Sequence, residues 1–148
     1  MIVADTGALL ALLDADEEHH GALRALFETA PHQWILPWAV LPEVDYLLST
    51  QVGPGAEELF LADLAEGRFV VEWGRDEDVA AANRICARYR SLRLGLVDGV
   101  VIAVAERLKA EAIATLDLRH FAAVTIRGAP KLLPRDDLSR PLRRRRRP

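Results

Sequence analysis

Apolar positions in this chain fall into two recurring patterns, short continuous runs and longer stretches at helical spacing, and the two alternate. Residues 2–5 read as a short buried strand, followed by an Ala/Leu helix to about Leu13. A second helix is expected from about Glu17 to Thr29, bounded by Pro31. Gln33 to Leu36 reads as a strand stopped by Pro37. Ala39 to Ser49 is helical, with Pro42 tolerable only in its first turn. Pro54 opens a helix that runs to Glu66 and ends at Gly67. Phe69 to Glu72 reads as a strand, and Asp76 to Tyr89 as a helix with acids at its N-terminus, where the helix dipole favours them. An apolar helix at 98–109, a strand from Ala112 to Leu116 and a short strand at Lys131–Leu133 complete the pattern. Strands separated by helices of this length predict βαβ units, an α/β fold whose parallel sheet is covered on both faces.

Composition narrows this. A chain of 148 residues makes one ordinary domain, burying roughly 70% of its unfolded surface. The 51% hydrophobic content argues for a packed core. No apolar run reaches the roughly 18 residues of a membrane span. No charged segment precedes the first apolar residues, so no secretory signal is expected. The lone Cys86 rules out an internal disulfide and reads as a packed thiol in a helix, consistent with a cytoplasmic address.

Charge is distributed unevenly. The six arginines of residues 139–148 leave 13 basic against 22 acidic side chains in residues 1–138, a balance of −9. Residues 1–135 are expected to form the folded domain and residues 136–148 an Arg-rich tail. Block charge favours disorder in that tail, and phosphate contacts are the alternative.

Four acids stand where a carboxylate is costly unless compensated. Asp5 and Asp117 close apolar runs, at positions that become the carboxyl ends of strands, where open parallel sheets bind ligands. Asp98 opens the apolar helix, and a helix cap alone would explain it. Glu43 falls among Val40, Val44, Leu47 and Leu48, an apolar stripe at helical spacing. A carboxylate on such a buried stripe needs a pairing charge or a metal, whereas Asp45 points elsewhere and is expected to be solvated. A divalent ion held by carboxylates suggests phosphate chemistry.

The segments MIVADTGALLALLD, LPEVDYLL, RLGLVDGVVIAVAERL and AIATLDLRHF resemble the four signature blocks of PIN-domain nucleases. Their order and spacing are most similar to the VapC-type toxins of bacterial toxin–antitoxin pairs, and the likeness spans residues 1 to about 134. It implies a three-layer α/β/α sandwich around a mainly parallel sheet. It also implies a Mg²⁺- or Mn²⁺-dependent endoribonuclease that cuts structured RNA, tRNA or rRNA, by in-line attack of a metal-activated water. By position, Asp5, Glu43, Asp98 and Asp117 match the metal-binding acids, with Asp5 and Asp98 the most direct ligands. Thr6 and Thr115 match hydroxyls that orient the acids or the metal's water. The resemblance further implies a homodimer and a VapB-type antitoxin partner. Two positions depart from the family pattern: Gly7 stands where Ser is frequent, and Gly99 where Ala is usual. The second weakens a helix or permits close backbone approach.

Two rivals remain. A PIN-like module with a decayed site would act by protein contact alone. Asp5-Thr6-Gly7 also spells the aspartic-protease signature, which requires a largely β fold and a homodimer. Of the other side chains, His19 and His20 read as surface residues, and His120 as a turn residue or an RNA contact. Arg93 and Arg119 are candidates for phosphate contact, and Trp34, Trp38 and Trp73 for core or interface anchors.

Overall fold

The computed structural model describes residues 1–137. The expectation of a tail at 136–148 therefore falls almost wholly outside the described residues. Five short strands, β1 (Ile2–Ala4), β2 (Trp34–Pro37), β3 (Val70–Glu72), β4 (Ala112–Ala114) and β5 (Lys131–Leu133), form one sheet in the order β3-β2-β1-β4-β5. Every pairing is parallel. The helices are α1 (Thr6–Leu13), α2 (His20–Thr29), α3 (Leu41–Leu47), α4 (Pro54–Ala65), α5 (Asp76–Arg88), α6 (Leu96–Arg107) and α7 (Leu118–Phe121). Together they make the three-layer α/β/α sandwich that the sequence predicts. Among the described residues, no helix is long and apolar enough to cross a membrane.

Strand register decides what meets at the sheet's carboxyl edge. β1 lies between β2 and β4, with Val3 opposite both Ile35 and Ile113 and Ala4 opposite Ala114. The residues that follow β1 and β4, Asp5 and Thr115, therefore emerge side by side. The Asp5 amide donates to the Ala114 carbonyl at 2.9 Å, extending the ladder by one bond. Behind this edge lies the hydrophobic core. Trp34 is fully buried and meets Phe27 edge to face at 5.5 Å, and Phe27 and Phe60 both approach Phe69. Trp38 packs against the core, whereas Trp73 is exposed.

Element boundaries differ slightly from the sequence expectation. Pro37 is the last residue of β2, opposite Glu72, and not the breaker beyond it. The helix expected at 39–49 is a composite: a 3₁₀ turn at Trp38–Val40, α3, then a π turn at Leu48–Val52. Pro42 sits in the first turn of α3, where its missing N–H costs nothing.

The structure overturns the reading of Glu43 as buried. Glu43 is exposed, while Val40, Val44 and Leu48 are buried. Val40, Val44 and Leu48 are spaced i, i+4, i+8, and Glu43, one residue before Val44, lies about 100° round the helix from it, beyond the edge of that buried stripe. Glu43 and Leu47 face a cleft, and the core stripe is narrower than expected. Asp45, expected to be solvated, is only partly exposed and has one buried carboxylate oxygen without a hydrogen-bond partner among the described residues. His19 and His20 are half-buried rather than free on the surface: His19 Nδ1 lies 3.1 Å from Glu17 Oε1, and His20 Nδ1 lies 2.9 Å from the Ala11 carbonyl.

α5 and α6 pack against each other with two distinct contacts. At one end, Asp78 takes a bidentate pair from Arg107, Nε to Oδ1 at 2.7 Å and a terminal nitrogen to Oδ2 at 2.8 Å. Glu72 adds a third contact to Arg107 at 3.0 Å. Burial pushes the Asp78 carboxyl up, but the guanidinium bonds outweigh it and hold the group below its usual range. Further along, a Cβ at Gly99 would lie 3.0 Å from both Ala82 Cβ and Cys86 Sγ. The glycine is therefore a close-approach position, and Cys86 is packed there as a half-buried thiol.

Candidate metal centre

A cleft of about 690 Å³ opens at the carboxyl edge of β1 and β4, lined by Asp5, Thr6, Glu43, Asp98 and Asp117 along with Gly7 and several apolar side chains. Each acid arrives there for a local reason. Asp5 follows β1 directly and caps α1, accepting the Thr6 amide on Oδ1 at 2.8 Å. Asp98 sits in the first turn of α6 and accepts the Gly95 amide on Oδ2 at 3.1 Å. Asp117 caps α7, accepting the His120 amide on Oδ1 at 3.1 Å. Glu43 reaches the same cleft from α3 at its exposed rim. Asp98 is therefore not the N-cap expected of it: α6 starts at Leu96 with Gly95 as the cap, and Asp98, at the third helical position, reaches back to the cap's amide. Each of the three aspartates keeps carboxylate lone pairs beyond these bonds.

Thr115 lies beneath the cleft, almost fully buried. Its hydroxyl donates to Asp5 Oδ2 at 2.9 Å and accepts the Asp117 amide at 3.0 Å. One side chain therefore fixes both the Asp5 carboxylate and the turn that carries Asp117. Thr6 is also buried, but its hydroxyl has no hydrogen-bond partner among the described residues.

The electrostatics are those of a site short of positive charge. Burial pushes the Asp5 carboxyl up to about 6, even though the Thr115 hydroxyl and the Thr6 amide pull it down. Asp98 and Asp117 add repulsion in the same upward direction. His120, read from the sequence as a turn residue or an RNA contact, also joins this cluster. Its Nδ1 lies 2.9 Å from Asp117 Oδ2 and 3.6 Å from Asp98 Oδ2, yet makes no well-formed hydrogen bond. Asp98, Asp117 and His120 each offer one ligand atom, all within 4.8 Å of one another. The turn role expected for His120 holds for its backbone, and its ring serves the cluster. The signal was present in the D-x-x-H spacing of Asp117 and His120, which one helical turn brings together.

These features suit a divalent cation. Several carboxylate oxygens and an imidazole nitrogen converge, a buried carboxyl resists ionisation, and a buried hydroxyl lacks a partner. Oxygen donors suit Mg²⁺ and Mn²⁺, and the nitrogen broadens the set toward Mn²⁺. Asp5-Thr6-Gly7 opens a helix beside a parallel sheet, so the largely β frame of the protease reading is absent from the described residues. Gly7 borders the cleft, and a Cβ there would make an ordinary 3.8 Å contact with Leu116. Arg93 and Arg119 are exposed, and neither lines this cleft.

Comparison with known proteins places this cleft in context. Residues 2–126 match the PIN domain family model. The chain is 34% identical over 123 residues to Ribonuclease VapC26 of Mycobacterium tuberculosis, covering 83% of this chain and 91% of the relative. The crystal structure of Mycobacterium tuberculosis VapC20, described as a sarcin–ricin loop cleaving toxin, superposes with a TM-score of 0.76 at 22% identity, covering 88% of this chain and 99% of that one. FitAcB from Neisseria gonorrhoeae aligns with a TM-score of 0.60 at 18% identity, over 89% and 96% of the two chains.

Proposed function

The chain belongs to the PIN domain family, and from that premise we propose that it is a divalent-metal-dependent endoribonuclease acting as a VapC-type toxin on structured RNA, a tRNA or an rRNA. The observation that carries the reading is the meeting of Asp5, Asp98 and Asp117 in one cleft, with the Asp5 carboxyl pushed up to about 6 by burial and by its acidic neighbours. Such a cluster repels a phosphodiester unless a cation reverses the local potential. The similarity to Ribonuclease VapC26 supports the same reaction class.

Asp5, Asp98 and Asp117 would hold the ion, with His120 beside the last two and Glu43 at the rim. A bound Mg²⁺ or Mn²⁺ supplies positive charge for the phosphate and lowers the pKa of a water that it holds. The chain's own residues set the orientation. Thr115 holds Asp5 Oδ2, the Thr6 amide holds Asp5 Oδ1, and the unpartnered Thr6 hydroxyl is free to bond a water or a phosphate oxygen at the cleft. Glu43, exposed on the rim, is positioned to steer a water or a ribose hydroxyl at the cleft edge.

A cytoplasmic toxin of this type would work as a homodimer and be silenced by a VapB-type antitoxin. The exposed Tyr46, Leu59 and Leu61 supply apolar surface for such contacts, and the acidic cleft suits a basic side chain from an inhibitor. Co-expression of the antitoxin should relieve a growth defect caused by the chain. The enzymatic reading is tested by Asp5→Asn, which should abolish RNA cleavage while leaving the fold intact. An Asn variant that cuts RNA at the wild-type rate with added Mn²⁺ would overturn it.

A further inference from the structure

The described chain is acidic overall, yet residues 79–97 contain four arginines and no acid. Two of them, Arg84 and Arg88, lie one turn apart on α5 and line a second cavity of about 340 Å³. Arg127 comes to the same cavity from the loop after α7, with Tyr89 and Thr125 between them. The walls are pinned. The Tyr89 hydroxyl accepts the Thr125 amide at 3.0 Å, and Glu106 accepts the Arg127 amide at 2.9 Å. Arg88 lies over the Tyr89 ring at 5.6 Å. Glu106 is the one acid in the lining, and its carboxylate lies 3.6 Å from the Arg127 guanidinium. Arg84 and Arg88 have no carboxylate within salt-bridge distance among the described residues.

This cavity is connected to the metal cleft by the chain itself. Gly95, Leu96 and Val97 line the acid cleft, Arg84 and Arg88 line the second cavity, and the segment between them presents Arg90 and Arg93 to solvent. Charge of one sign thus runs from the rim of the cleft to a cavity with fixed walls. Guanidinium groups bind phosphate oxygens in pairs of parallel hydrogen bonds, and phosphate contacts set the register of a bound nucleic acid without reading its sequence.

We propose that the Arg84–Arg88–Arg127 cavity, with Arg90 and Arg93, is a backbone-phosphate site that holds RNA flanking the scissile bond. It rests on the reading of the acid cleft as an RNA-cleaving site. It answers a problem that the cleft creates, because an acidic site attracts an RNA chain only weakly and needs a basic surface beside it to retain the substrate. Arg→Ala at these positions therefore weakens the holding of RNA and leaves the chemistry of the cleft alone.

The test measures binding of a labelled stem-loop RNA to the full chain in the presence of chelator, across a salt series. Arg84→Ala/Arg88→Ala is compared with Arg24→Ala/Arg68→Ala, which removes the same charge from two exposed, ion-paired arginines elsewhere. The cavity variant should bind about tenfold more weakly than wild type, and its slope of log affinity against log salt should become shallower by roughly 0.7–0.9 for each phosphate that is no longer neutralised. The control should stay near wild type. In cleavage assays with Mn²⁺, the cavity variant should raise KM with kcat little changed. If the cavity variant, folded as judged by circular dichroism, binds RNA no more weakly than the control, the proposal is wrong. Poly-glutamate displacing the RNA at equal charge concentration would also overturn it, by showing an acidic-peptide site. If wild type cuts no RNA but binding still depends on Arg84 and Arg88, the phosphate site stands and the nuclease reading falls.

Discussion

The Thr115 hydroxyl donates to Asp5 Oδ2 at 2.9 Å, a bond made possible by the register that sets Ala114 opposite Ala4. Thr115 Oγ1 also accepts the Asp117 amide, so one buried hydroxyl couples the ends of two neighbouring strands at the cleft. Thr115→Val keeps the shape and removes the donor and acceptor. Metal affinity or RNA cleavage should fall about 10–100-fold, as for other groups that orient a metal ligand, while Thr115→Ser should recover most of it. A Val variant with unchanged activity would show that Asp5 needs no such support.

The raised Asp5 carboxyl predicts a particular pH dependence for the metal-free protein. Its folded value of about 6 lies above the ordinary 3.8, so between these values the folded state binds more protons than the unfolded state. Stability therefore falls as pH rises through that window. The cost is absent below about pH 4 and complete above about pH 6, on the order of 3 kcal/mol at most. Urea denaturation in chelator should show this decline, and Asp5→Asn should remove it and stabilise the apo protein at neutral pH. Added Mn²⁺ should restore stability to wild type and not to the variant.

Gly99→Ala tests the packing of α5 on α6. Alanine gains up to about 1 kcal/mol of helix propensity. Its Cβ, however, would press on Ala82 and Cys86 at 3.0 Å, and backbone Ala82 Cα lies 3.2 Å away. Overpacking at such a site costs about 1–3 kcal/mol. The net effect should be a lower urea midpoint, and a higher one would mean that the helices part without strain.

How much of this was legible in the amino-acid order depended on whether a residue's environment was local. Asp5, Asp98 and Asp117 stand at the ends of apolar runs, and the ends of strands and helices follow from the runs themselves. The parallel sheet then obliges those ends to meet. Glu43 falls elsewhere because the apolar stripe at 40–48 has no visible edge in the sequence: Val40, Val44 and Leu48 are buried, whereas Glu43 and Leu47, one position round the helix, turn to the cleft. The pair between Asp78 and Arg107 joins residues 29 apart, and Asp78 already had a sufficient local explanation in the acid-rich start of α5. The ring of His120 enters the cluster only because the four-residue helix α7 turns it back over Asp117.

That ring makes a separate prediction. Imidazole nitrogen favours Mn²⁺ over Mg²⁺ relative to an all-oxygen set. Wild type should bind Mn²⁺ more tightly than Mg²⁺ by titration calorimetry, and His120→Ala should narrow the difference. Equal loss for both ions would show that the imidazole acts through Asp117 and not on the metal.

The proposed function requires a cation held by the clustered acids and used on RNA. The most direct measurement is cleavage of total RNA by the purified chain in chelator, then with Mg²⁺ or Mn²⁺ restored, with Asp98→Asn alongside. Cleavage should be absent in chelator, return with metal, and remain absent in a folded Asp98→Asn protein at every metal concentration. Cleavage that persists in chelator, or that survives Asp98→Asn at the wild-type rate, would contradict the account.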